Sequence, residues 1–240
     1  MAGLHDQIAG SLIQDILSAR YRVDERLPSE RDLAARFDAN RGAVREAMKK
    51  LEQIGLAEIQ PGGARVKDTS EASLDVIGHL LAQDNLPDPK LVDQILVVIN
   101  SLLKIAAEQT LELASDEEIA QIRELARPLY AENLNDEAHT LARFELFQSI
   151  MLTNKNLPLQ LIARTLFEQF APNVSVLNVS TTVDKAAYSQ FAQELDSALQ
   201  QRDLPAVQAI FTTLSDMNRE SMMHALEAAR HSLSQEATTP

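Results

Sequence analysis

The chain has 240 residues, 45% apolar but only 4% aromatic, so aliphatic side chains must fill its cores, and the length suits one large or two modest domains. It has no cysteine, which excludes structural disulfides, zinc–thiolate sites and cysteine nucleophiles and fits a reducing cytoplasm. The net charge of −13 is one-sided: residues 1–69 hold 11 basic and 11 acidic side chains, residues 70–240 hold 11 and 24.

That asymmetry leaves a head able to meet phosphate, because nine basic and six acidic residues lie between Arg20 and Lys50. No apolar run approaches the roughly 20 residues that cross a bilayer, and MAGLHDQIAG lacks the basic-then-apolar order of a signal peptide. The expectation is a cytoplasmic protein with no membrane partner.

In chain order, Leu4, Ile8, Leu12, Ile13, Ile16 and Leu17 recur at helical spacing, predicting a helix from Leu4 to Arg20. YRVDERLP reads as a loop ended by Pro28. Ser29 then fits an N-cap, with a helix running through Phe37 and turning Leu33 and Phe37 inward. Asp38-Ala39-Asn40 is a short turn, and Asn40 caps a further helix whose apolar stripe is Val44, Ala47, Met48 and Leu51. Its opposite face carries Arg41, Arg45 and Lys49, and Gly55 stops it. LAEIQ and ARVKD around Pro61-Gly62-Gly63 predict a β-ribbon. Helix, helix, turn, helix, ribbon is the order of a winged helix-turn-helix, which lays its second motif helix in the major groove.

The segment resembles the DNA-binding domain of the GntR family of bacterial regulators over roughly residues 4–68. LPSERDLA, an arginine-containing turn, VREAM..L...GL and a glycine wing carry the resemblance. Two departures are SARYRVDERLPSE, where the family has a Gly and a Pro-Gly, and Ala39-Asn40-Arg41, where it has V-S-R. The resemblance implies roles for individual residues. Arg31 opens the first motif helix, and Arg41 and Arg45 reach guanine edges or phosphates. Ser29, Asn40 and Gly42 contact phosphate through hydroxyl, amide or backbone N–H. Gly62 lets the ribbon tip approach the minor groove, and Lys49 and Arg65 add further contacts. The competing reading for Arg45 is an ion pair with Glu46 or a neighbouring acid.

Residues 69–235 read as six or seven helices with short links, an all-α bundle, followed by a flexible tail over 236–240. Asp88-Pro89 opens a helix running toward Ala114, apolar on most faces and therefore central. Ser115-Asp116-Glu117-Glu118 is a capping box for a helix through Asn133. Helical stretches follow at 136–153, 158–171, 184–201 and 204–230, and 172–183 reads as either helix or loop. The fold class is thus mainly α, with domains at 1–68 and 69–235.

A bundle behind such a head resembles the FadR subfamily, whose usual metal is held by one Asp and three His. Here the corresponding positions are Arg143, Phe147, Ala192 and Asp216, so no metal and no other cofactor is expected. The remaining effector reading is an apolar pocket. Phe147 and Phe211 would pack an acyl chain or other apolar metabolite, with Arg143, Arg164 and Arg219 as cations for phosphates. A small carboxylate and a bundle without any small-molecule switch are the alternatives. No nucleophile–base constellation or phosphate loop supports an enzyme. The chain is therefore expected to be a homodimeric regulator, by default a repressor, that binds a palindromic double-stranded operator under effector control.

Overall fold

The structure, a computed structural model, describes residues 3–131, 133–177 and 183–236. Helix α1 (Leu4–Leu17) buries Ile8, Leu12, Ile13 and Ile16, the stripe its 3.6-residue period dictates. It stops short of Arg20 because Ser18 closes it and Ala19 turns into the left-handed region at φ 58°. Helix α2 (Glu30–Arg36) and helix α3 (Arg41–Gln53) follow. The turn between them places Asp38 at φ 47°, a conformation that aspartate tolerates better than most residues.

Strands β1 (Ala57–Gln60) and β2 (Gly63–Val66) pair antiparallel, with Ala57 opposite Val66 and Gln60 opposite Gly63. Gly55 precedes them at φ 79°, and a Cβ there would lie 2.9 Å from the Glu71 carbonyl oxygen. Only glycine fits that corner. Leu12, Leu33, Val44, Leu51, Leu56 and Val66 meet in one core. Asp15, at its margin, accepts hydrogen bonds from Arg36 Nη1 at 2.6 Å and Arg20 Nη1 at 3.0 Å.

The first compact unit continues past the wing through Asn85, whereas the sequence places a boundary after Asp68. A 3₁₀ turn (Thr69–Glu71) and helix α4 (Val76–Leu81) belong to it, and Val76 is buried in the same core as Leu12. At six residues, α4 has too short a pattern to reveal which core it joins.

The second unit, Leu86–Pro240, is built on six α-helices among the described residues. They are α5 (Pro89–Leu113), α6 (Asp116–Ala126), α7 (Asp136–Thr153), α8 (Leu157–Val174), α9 (Lys185–Gln201) and α10 (Leu204–Glu236). Asp88 and Ser115 cap α5 and α6 as the sequence indicates, Ser115 within a complete capping box. Three boundaries differ from expectation. Helix α6 gives way to a 3₁₀ turn (Arg127–Tyr130) at Pro128, which lacks the N–H to continue the α-ladder. Helix α8 extends to Val174, carrying Pro172 in its last turn. Helix α10 runs six residues beyond 230, to Glu236. The sequence reading of 178–182 and of the tail at 237–240 lies outside the described residues.

Leu103, Ala107, Ile122, Leu146, Leu195 and Phe211 mark the core of this unit. Helix α5 is less enclosed than its composition implies, since Val97, Val98 and Ile105 are exposed.

Candidate nucleic-acid interface

Ser29 and Asn40 set the starts of the two motif helices. Ser29 Oγ accepts from the Asp32 N–H at 3.3 Å, and Asn40 Oδ1 accepts from the Ala43 N–H at 2.8 Å. In any helix the first N–H groups lack intrahelical partners, so α3 offers those of Arg41 and Gly42 to an outside acceptor. A Cβ on Gly42 would stand 3.1 Å from Asn40 Oδ1, so a side chain there would crowd the cap.

Val44, Ala47, Met48 and Leu51 fix the rotation of α3 by burying one face, which turns Arg41, Arg45 and Lys49 outward. Arg45 donates from Nε and Nη2 to the two carboxylate oxygens of Glu30, at 3.0 and 2.9 Å. The Arg45 guanidinium holds the Glu30 carboxyl below its ordinary range. The ion pair the sequence allows for Arg45 therefore exists, but with Glu30 on α2 rather than Glu46. Glu46 instead accepts from Lys49 at 2.9 Å. Arg31 is exposed, its Nε 3.6 Å from Asp32.

At the wing, Gly62 and Gly63 have φ of 99° and 137°. Arg65 turns back, donating to the Asp24 carbonyl at 2.7 Å, and its strand pairs with Arg26. Ser29, Arg31, Asn40, Arg41, Gly42, Arg45, Lys49, Gly62 and Arg65 are thus all exposed on the motif helices, their turn and the wing. Two residues with a place in this geometry escape the sequence reading. Glu30 lies 15 positions from Arg45, and no local spacing links them. Arg26 sits in a segment whose composition reads only as loop.

The effector residues predicted from sequence do not form one site. Arg143, Phe147 and Phe211 lie around the buried rings of Tyr188 and Phe191: the Arg143 guanidinium is 5.0 Å from the Tyr188 ring centre, Phe147 and Phe211 are 6.3 and 6.0 Å from Phe191. Arg164 is on the exposed side of α8, paired with Glu168 at 3.0 Å. Arg219 is occupied by Asp93 through two hydrogen bonds of 2.7 and 3.0 Å. None of the five lines the two surface grooves along α9 and α10.

Beside those rings is a polar centre. Asn218 Nδ2 donates to Asn100 Oδ1 at 3.0 Å, Tyr188 Oη donates to Asn218 Oδ1, and Arg143 Nη1 donates to Tyr188 Oη at 3.4 Å. His139 packs edge-on against Tyr188 at 5.3 Å. Asn100 Nδ2, Arg143 Nε and His139 Nε2 are buried without a hydrogen-bond partner.

The first unit is a winged helix-turn-helix and the second an all-α bundle. Residues 4–66 match the family described as bacterial regulatory proteins, gntR family. The chain therefore carries a GntR-family helix-turn-helix domain ahead of a helical C-terminal domain. It is 31% identical over 141 residues to the HTH-type transcriptional repressor NanR of Enterobacter sp. (strain 638), covering 56% of this chain and 52% of that protein. It is 32% identical over 123 residues to the HTH-type transcriptional regulator Mce2R of Mycobacterium tuberculosis, covering 50% and 49%. The chain thus spans about half the length of the curated relatives it matches. The solved structure described as "Lar controls the expression of the Listeria monocytogenes agr system and mediates virulence" superposes with a TM-score of 0.54 at 13% identity, over 93% of this chain and 98% of that one. That likeness is one of fold.

Proposed function

We propose that the chain is a sequence-specific DNA-binding transcriptional regulator, by default a repressor, and not an enzyme. The observation that carries this is the outward face of α3. Asn40 caps the helix, its first two N–H groups can take a phosphate, and Arg41 and Arg45 stand one turn apart beside a glycine-tipped wing. Such a helix reads base edges from the major groove, where a bidentate arginine–guanine contact contributes about 1–3 kcal/mol of discrimination. The full set proposed to touch DNA is Ser29, Arg31, Asn40, Arg41, Gly42, Arg45, Lys49, Gly62 and Arg65. A homodimer binding a palindromic operator follows if two heads act together. The cytoplasm suits that role.

Binding to a duplex selected from a random-sequence pool tests the reading. Affinity should fall steeply with salt, and Arg45→Ala should lose the preference for the selected sequence. Undiminished preference in that variant would remove α3 as the reading helix.

A second reading concerns the effector. The buried, unpartnered donors Asn100 Nδ2 and Arg143 Nε favour a small carboxylate in the bundle over an acyl chain, because an anion accepts what these groups offer. An effector preferring one arrangement of the dimer would shift operator affinity by its differential binding. Thermal-shift titration with small carboxylates and with acyl-CoA separates the two, since only a bound ligand raises the melting temperature. Loss of the carboxylate response in Arg143→Leu is the expected result.

A further inference from the structure

We infer that Arg26, in the loop before α2, is a further DNA-contacting residue that enters the minor groove beside the wing tip. The inference rests on the DNA-binding reading above and adds to it a second contact of different chemistry.

The segment from Asp24 to Leu27 is bound to the wing as a third edge. The Asp24 N–H donates to the Val66 carbonyl at 2.9 Å, the Val66 N–H to the Glu25 carbonyl at 3.0 Å, and the Leu27 N–H to the Ala64 carbonyl at 2.9 Å. Arg26 and Arg65 face each other across this edge. Arg65 ties it further by its bond to the Asp24 carbonyl. The backbone of Arg26 is thus fixed to the ribbon, although it lies far from it in sequence.

From that anchor the Arg26 side chain crosses the turn. A Cβ built on Gly62 would lie 2.9 Å from Nη2 of Arg26, and one built on Gly63 would lie 2.8 Å from Nε. The two glycines are therefore doing two things. Their positive φ makes the tight tip, and their missing side chains make room for the guanidinium to lie across it. Arg26 is exposed, and among the described residues no carboxylate lies within 4.0 Å of its guanidinium. Arg31, Arg45 and Lys49, by contrast, each have an acidic neighbour within that distance.

A guanidinium lying across the tip of a narrow ribbon, unpaired and carried by a backbone that main-chain bonds fix to that ribbon, matches the minor groove of A·T-rich DNA. That groove is narrow, its potential is strongly negative, and arginine is the side chain it attracts. The target class is a duplex whose half-site is flanked by an A·T tract. Arg26 would thereby set sequence preference outside the bases that α3 reads.

The test is a cycle between protein and DNA, run on the full chain with the selected duplex. Two probes share the core bases and differ in flanks that are A·T or G·C. Wild type should bind the A·T-flanked probe about tenfold more tightly, as a single unfavourable step typically costs. Arg26→Ala should lose that preference while still distinguishing the intact core from a scrambled one. Arg26→Lys, which keeps the charge but not the planar fork, should recover only part of it. Equal flank preference in wild type and Arg26→Ala overturns the inference. So does a wild type with no flank preference, or a loss in Arg26→Ala that is the same on both flanks. Failure of wild type to distinguish intact from scrambled cores would instead overturn the DNA-binding reading. Circular dichroism and thermal unfolding of both variants confirm that the wing is intact.

Discussion

Glu30, the first residue of α2, grips Arg45 in the middle of α3 through both carboxylate oxygens, at 3.0 and 2.9 Å. The pair is solvent-exposed, so its contribution to stability is small. Its effect is on direction: two parallel hydrogen bonds restrict a long, flexible side chain to one pose before any base is present. It also places a negative charge where phosphates would come. Glu30→Gln should therefore raise affinity for scrambled DNA and lower the ratio of selected to scrambled binding, by up to about tenfold. Fluorescence anisotropy at one fixed salt concentration reads both. An unchanged ratio would mean that Arg45 needs no such guide.

The difference between Glu30 and Asn40 explains how much of this protein is legible in its sequence. Asn40 acts three residues away, on the Ala43 N–H, and capping of that range is written in local order. Ser29, Asp88 and Ser115 are readable for the same reason, and so is the outward stripe of α3, fixed by Val44, Ala47, Met48 and Leu51. The Glu30–Arg45 pair, the crossing of Arg26 over Gly62 and Gly63, and the hydrogen-bonded series Arg143, Tyr188, Asn218 and Asn100 all join distant parts of the chain. Composition does not encode such meetings. The effector set suffers most, since Arg164 and Arg219 have the right charge but Glu168, one turn on, and Asp93, on a distant helix, already hold them.

Asp15 should be a stability determinant of the first unit. Burial disfavours its charge, but hydrogen bonds from Arg36 and Arg20 more than offset this and keep its carboxyl below the ordinary range. Asp15→Asn should destabilise the unit by about 1.5–3 kcal/mol, the usual contribution of a hydrogen bond to a charged group. Because the folded carboxyl titrates below the unfolded one, at about 3.9, the contribution is present above that pH and fades as pH falls through the folded value. Urea unfolding at neutral and acid pH should show the variant and wild type converging in acid. A constant difference would rule out the charge as its source.

His139 should make the bundle acid-sensitive. Burial, aided by the charges of Arg143 and Lys185, lowers its pKa to about 4, and Nε2 has no partner. The unfolded chain protonates it near 6.5, so between those values the unfolded state binds more protons and stability drops as the pH is lowered. Stability from this source is complete above about pH 6.5 and is lost progressively toward pH 4, by about 3 kcal/mol in all. His139→Leu, similar in bulk and apolar, should flatten that slope. Parallel unfolding profiles for variant and wild type across this range would refute the assignment.

Arg202 holds a left-handed backbone, φ 51° and ψ 41°, at the end of α9. Its guanidinium donates to the Leu111 and Ala114 carbonyls at 2.7 and 2.8 Å and to Asp116 at 2.8 Å. The side chain thus satisfies carbonyls at the end of α5 that no helical N–H can reach. Two substitutions separate the backbone cost from the side-chain gain. Arg202→Ala loses the bonds and keeps the strained conformation, whereas Arg202→Gly loses the same bonds but relieves it. The alanine variant should be less stable than wild type by about 2 kcal/mol, discounted from three charged bonds because the side chain is partly exposed. The glycine variant should recover about 1 kcal/mol of that. If chemical denaturation finds alanine equal to or above glycine, the left-handed turn is not a source of strain. If both match wild type, the bonds to α5 contribute nothing to its stability.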